Sequence, residues 1–80
     1  MRAQVHITLK SGVLDPQGEA VRHALGSLGF DEVQSARQGK VIELEIDATN
    51  PETARSRVEE MCEQLLANTV IENYEITIVS

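Results

Sequence analysis

Apolar and polar residues alternate twice in this chain with the period of a strand. Val5, Ile7 and Leu9 are separated by His6 and Thr8, and Ile42, Leu44 and Ile46 by Glu43 and Glu45. Period two places one set of side chains on a buried face and the other in water. Tyr74, Ile76 and Ile78 repeat the pattern near the C-terminal end. Between these runs the spacing changes to that of a helix. Ala20, Val21, Ala24, Leu25 and Leu28 form one apolar stripe, and Ala54, Val58, Met61, Cys62 and Leu65 form another. Arg55, Glu59, Glu60 and Glu63 lie off the second stripe.

Each stripe begins with the same device. Asp15-Pro16 and Asn50-Pro51 pair a capping oxygen with a proline that needs no N–H in the first turn. Gly29 stands where a left-handed residue closes a helix, and Asn68 ends the second one. Residues 31–38 predict a weaker, polar strand around Val33, followed by a turn at Gly39-Lys40. The order is then β-α-β-β-α-β in two halves of similar layout. That is the ferredoxin-like pattern of an α+β fold. It predicts a four-stranded antiparallel sheet, order 4-1-3-2, with both helices on one face.

Eighty residues make one domain, 1–80. A chain of this size buries a marginal core, which favours self-association. Phe30 and Tyr74 are its only aromatics, so the core is aliphatic. The net charge of −6 disfavours nucleic acid and anionic membranes. The exposed face of the predicted sheet also lacks the aromatics on which RNA-binding domains of this topology stack bases. No apolar run approaches the length of a membrane span, no signal pattern opens the chain, and Cys62 is the sole cysteine. A cytoplasmic location is expected.

Little in the sequence looks like chemistry. The stretch GVLDPQGEAV, residues 12–21, has two glycines before a helix, but Pro16 removes an amide and Asp15 brings the wrong charge for a phosphate loop. A capped helix start explains all of it except Gly18. His6 and His23 with one cysteine make no zinc set. Glu19 and His23 have the spacing of a solvated helix pair. Cys62, on an apolar stripe, reads as a buried hydrophobe. Glu43, Glu45 and Glu75 share the open sheet face with His6, Thr8, Lys10 and Thr77. That face is either solvated or a polar contact surface, because an open sheet does little to raise a carboxylate's pKa.

The stretches GVLDPQGEAV (12–21), LGF (28–30), GKVIELEI (39–46) and EEMCEQLLANTVIENYEI (59–76) together resemble the PurS family, the small subunits of phosphoribosylformylglycinamidine (FGAM) synthase. Thr69 departs from the family, which often has proline there, as does Val41, where an aromatic is common. The resemblance implies a non-catalytic chain that binds no cofactor itself, within a complex that uses ATP and Mg. It implies a glutaminase subunit and a large synthetase subunit as partners, a bridging role between them in ammonia transfer, and self-association to a dimer or tetramer. Exposed polar groups are then the interface candidates: Arg37 and Lys40 in the predicted hairpin, and His6, Lys10 and Glu43 on the open sheet face. Ser11-Gly12 before the first helix keeps one alternative, a regulatory domain of the same topology that binds a small metabolite.

Overall fold

The computed structural model describes residues 1–79. It contains β1 (Arg2–Leu9), α1 (Pro16–Ser27), β2 (Lys40–Glu45), α2 (Pro51–Met61), a π-type turn over Cys62–Leu66, and β3 (Glu72–Val79). The sheet is antiparallel, in the order β2-β1-β3. β1 is central because it is apolar along a whole face. Ala3, Val5 and Ile7 are fully buried. Across the sheet Ala3 lies between Leu44 and Ile78, and Val5 between Ile42 and Ile76. Ile7 lies between Lys40 and Tyr74, where the apolar layer ends.

α2 covers this face. Asn50 starts it, its side-chain oxygen accepting from the Glu52 and Thr53 amides at 2.8 and 3.4 Å. Ala54, Val58 and Cys62 are buried against the sheet. Arg55 does not simply face water: its guanidinium donates to the Ile76 carbonyl at 3.1 Å and ties α2 to β3. Past Met61 the helix widens, and the Ala67 amide reaches back five residues to the Cys62 carbonyl. The wide turn lets Cys62 and Ala67 both enter the core. The same turn rotates Leu65 off the stripe on which regular spacing puts it, and Leu65 is 83% exposed.

Two sequence expectations require correction. Among the described residues the sheet has three strands, because residues 31–38 form none. This segment holds only Val33 and Ala36 as apolar residues, too few to bury a strand face. Its polar groups are also engaged elsewhere. The Gln38 amide donates to Asp15 Oδ2 at 2.8 Å, and the Gln38 side chain donates to Gln17 Oε1 at 3.0 Å. The Arg37 guanidinium donates to the carbonyls of Leu9 and Lys10. Residues 36–39 therefore form a strap joining the start of α1 to the end of β1. Without the fourth strand, β2 is an edge instead of a central strand.

The second correction concerns α1. It does not share the covered face with α2 as a core element. Gly18 is its only buried residue, and none of its side chains belongs to the core. Its ends are nonetheless well formed. Asp15 Oδ1 accepts from the Gly18 amide at 2.8 Å. At the other end the Phe30 amide bonds the Leu25 carbonyl and the Gly29 amide the Gly26 carbonyl, with Gly29 at φ 99°. This is a Schellman closure, which needs the left-handed conformation that glycine supplies.

Gly18, unexplained by capping, is explained by the strap. A Cβ there would collide with the Ala36 carbonyl oxygen and come within 3.0 Å of Arg37 Cα. Gly26, in the same helix, has nothing within 4 Å of that position. Gly18→Ala is expected to destabilise the fold by about 1–3 kcal/mol despite alanine's better helix propensity. Gly26→Ala is expected to stabilise it by about 0.4–1 kcal/mol. Urea unfolding of both variants checks the pair, and equal effects would refute the close approach.

Asp15 supplies a pH dependence. Its carboxyl is held below the ordinary value, first by the Gln38 amide and then by the Gly18 amide. A lowered native value means that this contribution is fully present above the unfolded value near 3.8 and is lost as pH falls through the native one. Asp15→Asn keeps one acceptor oxygen but turns an NH2 toward the second amide. Unfolding measured above and below pH 3.8 is expected to show a stability gap between wild type and Asp15→Asn that narrows in acid. A gap independent of pH would exclude the carboxylate as its source.

Candidate assembly surface

The outer face of the sheet carries the polar half of each alternating pattern. Its cross-strand rows run Glu45-Arg2-Val79, Glu43-Gln4-Thr77 and Val41-His6-Glu75. His6 and Glu43 are both exposed on this face, on neighbouring rows and not directly opposite. Arg2 approaches Glu45 at 3.4 Å, an exposed pair of little energetic weight.

The other three candidate residues lie elsewhere. Lys10 follows the end of β1, where its amide donates to the Ile71 carbonyl at 2.8 Å. Its side chain lines a groove of about 340 Å³ with Glu63, Glu72 and Tyr74. Lys40 opposes Ile7 and so belongs to the inner face. It lines a groove of about 320 Å³ beside Asp15, Gln17 and Gln38. Arg37 is exposed, but its guanidinium is occupied with β1 carbonyls and acts as a tie within the fold. The structure thus separates the five residues into an outer sheet face, two grooves at the end of β1 and the strap.

The reactive side chains have quiet surroundings. Cys62 is fully buried, and burial, with Glu63 and Glu59 nearby, pushes its thiol up. That disfavours the thiolate a nucleophile requires. Tyr74 donates to Glu63 Oε2 at 2.7 Å, and this bond leads the causes that push its hydroxyl up to about 12. Glu19 pairs with Arg22 in place of His23, and this pairing lowers its carboxyl. Among the described residues no three His, Cys, Asp or Glu side chains gather as metal ligands. Among the described residues no helix is long and apolar enough to cross a membrane.

The surface also carries exposed apolar residues. Val21 on α1 is 43% exposed, and Leu28, its C-cap, 74%. Leu14 and Phe30 at the two ends of the helix are exposed as well. On the sheet side, Ile42, Leu44 and Ile46 of β2 pack against the core yet remain only partly covered. Sequence spacing identified the α1 stripe correctly but assigned it to this chain's own core. The warning signal was the short length, which makes a self-sufficient core marginal.

The family model for PurS, phosphoribosylformylglycinamidine (FGAM) synthase, matches residues 2–80. The PurS subunit of Bacillus subtilis (strain 168) is 52% identical over 73 residues, covering 91% of this chain and 86% of that protein. The crystal structure of B. subtilis PurS superposes with a TM-score of 0.87 at 48% identity, covering 99% of this chain and 98% of that one. A chain in the structure of PurLQS from Thermotoga maritima superposes with a TM-score of 0.88 at 36% identity, covering 98% and 95%. Sequence, length and overall fold agree, and the chain belongs to the PurS family of FGAM synthase subunits.

Proposed function

We propose that this chain is the non-catalytic, bridging subunit of a split FGAM synthase in de novo purine biosynthesis. A glutaminase partner releases ammonia from glutamine. A large synthetase partner, using ATP and Mg, activates formylglycinamide ribonucleotide and transfers the ammonia to give the amidine. This chain holds the two together in the cytoplasm and supports the ammonia transfer. It acts as one 1–80 unit that self-associates. The observation that carries this reading is the likeness over 98% of the chain to a subunit within PurLQS of T. maritima. The exposed apolar stripe of α1 supports an assembly role, because a 12-residue helix that buries only Gly18 within its own chain is built for contact outside it.

His6 and Glu43 on the outer sheet face, and Lys10 and Lys40 at the β1-end grooves, are the proposed polar contacts to the larger subunits. Arg37 supports them by holding the strap in place.

Two measurements test the role. Added to the glutaminase and synthetase subunits, this chain is expected to restore glutamine-dependent amidine synthesis while leaving ammonia-dependent synthesis nearly unchanged. An equal change in both arms would refute coupling. Lys40→Glu is expected to lower the glutamine-dependent rate at limiting subunit concentration without altering the circular dichroism of the isolated chain. An unchanged rate removes Lys40 from the interface.

A further inference from the structure

Past the end of α2 the chain turns two apolar side chains outward and holds them rigidly. A regular helix would carry Leu65 along the covered stripe. The π-type turn over Cys62–Leu66 puts it outside at 83% exposure, while Cys62 and Ala67 stay buried. Widened turns of this kind give up regular helical hydrogen bonding and are frequent at functional positions. Three residues beyond Ala67, Val70 is 81% exposed. The turn that presents it is tied around Asn68. Asn68 Oδ1 accepts from the Val70 amide at 3.2 Å, and the Asn68 carbonyl accepts from the Ile71 and Glu72 amides at 3.0 and 2.8 Å. The Asn68 amide donates to Glu72 Oε1 at 2.6 Å, and the Lys10 amide donates to the Ile71 carbonyl at 2.8 Å, which pins the turn to the end of β1. A segment held in this way loses little further entropy when a partner closes over it.

The surrounding charge says what that partner carries. Glu63 stands two residues before Leu65, and Glu72 two after Val70. Both line the groove of about 340 Å³ at the end of β1, where Lys10 is the one cation beside them. A matching socket is therefore apolar with a basic rim. A second copy of this chain supplies no such rim. Of its seven Lys and Arg residues, Arg2, Arg22 and Arg57 pair with glutamates, and Arg37 and Arg55 donate to backbone carbonyls. That leaves Lys10, which belongs to the acidic groove, and Lys40. Of the two larger subunits, the synthetase takes ATP and a ribonucleotide, both polyanions, and basic surface gathers around sites for such substrates. The glutaminase acts on glutamine, which has no net charge.

We propose that Leu65 and Val70 are the anchor by which this chain docks into an apolar, basic-rimmed socket on the large synthetase subunit. The anchor rests on the subunit role above and gives it a point of contact. It is continuous with the polar contacts proposed there, because Glu72 lines both the Lys10 groove and the Lys40 groove. Glu63 and Glu72 then face the rim, and the two apolar side chains fill the socket.

The test uses the whole chain in the complex. Leu65→Lys and Val70→Lys leave the core untouched, because both side chains are exposed. Each variant is titrated into fixed amounts of the glutaminase and synthetase subunits, and glutamine-dependent synthesis is read. Each is expected to raise the concentration giving the half-maximal rate at least about 10-fold. The rate at saturation, and the urea midpoint and sedimentation of the isolated chain, are expected to stay as in wild type, and Val70→Ile to behave as wild type throughout. A second measurement identifies the partner directly. A photo-crosslinking benzoylphenylalanine in place of Gln64, exposed beside Leu65, is expected to join the synthetase subunit in the assembled complex. Crosslinks confined to the glutaminase or to a second copy would overturn the anchor. Lysine variants that match a wild type able to restore glutamine-dependent synthesis would reject the anchor and leave the subunit role standing. A wild type that restores nothing would reject both.

Discussion

The Asp15 carboxylate bonds two backbone amides that lie far apart in sequence, and the shape of the chain follows from that division. One oxygen caps α1 through Gly18, and the other holds Gln38. The strap is thereby fixed beside the helix start and is not free to run along β2 as a strand. Gly18 completes the constraint, since any larger residue would force strap and helix apart. The helix leaves this joint in a direction set by the joint and not by contact with the core. A carboxylate acceptor for two N–H groups is a strong tie for its size, because charge-assisted hydrogen bonds outweigh neutral ones.

Local order was legible in the sequence wherever it is local in cause. The alternation of Val5 and Ile7 gave the central strand, and the run Ile42 to Ile46 gave its neighbour. Asp15, Asn50 and Gly29 marked helix ends that the structure shows with the expected hydrogen bonds. Three features were not legible, each because its cause is distant. Residues 31–38 looked like a weak strand because nothing in that segment reveals that Gln38 is claimed by Asp15. Leu65 looked buried because periodicity assumes an even helix, and the widened turn after Met61 breaks the count. The α1 stripe looked like core because spacing shows that a face is apolar without showing what it meets.

Of the candidate site, the sequence located exposed polar residues but not their grouping. His6 and Glu43 do share the outer face, as alternation required. Lys40, expected in a turn, instead opens β2, where the alternation of Ile42 and Leu44 carries it onto the inner face. Arg37 looked free to meet a partner, whereas two β1 carbonyls hold its guanidinium. An assembly protein is hard to read in this way: its surfaces are ordinary residues whose meaning depends on what they touch. Family likeness supplied the role, and the structure supplied the uneven cover of the sheet.

The register between β1 and β3 has a consequence for synthesis. Arg2 pairs with Val79, so two strands separated by most of this sequence are neighbours. The ladder can start at its Leu9–Glu72 end, so the loop it closes runs from 10 to 71, and such non-local pairing is a mark of slow folding. On the ribosome, β1 can pair with β2 early, but its other edge stays open until Glu72 and the residues after it have left the exit tunnel. Throughout that interval the most apolar strand of the protein has one bare edge, and its inner face waits for α2 to dock. Wrong pairings of the nascent chain therefore concentrate on this one strand, and chaperone demand should fall there.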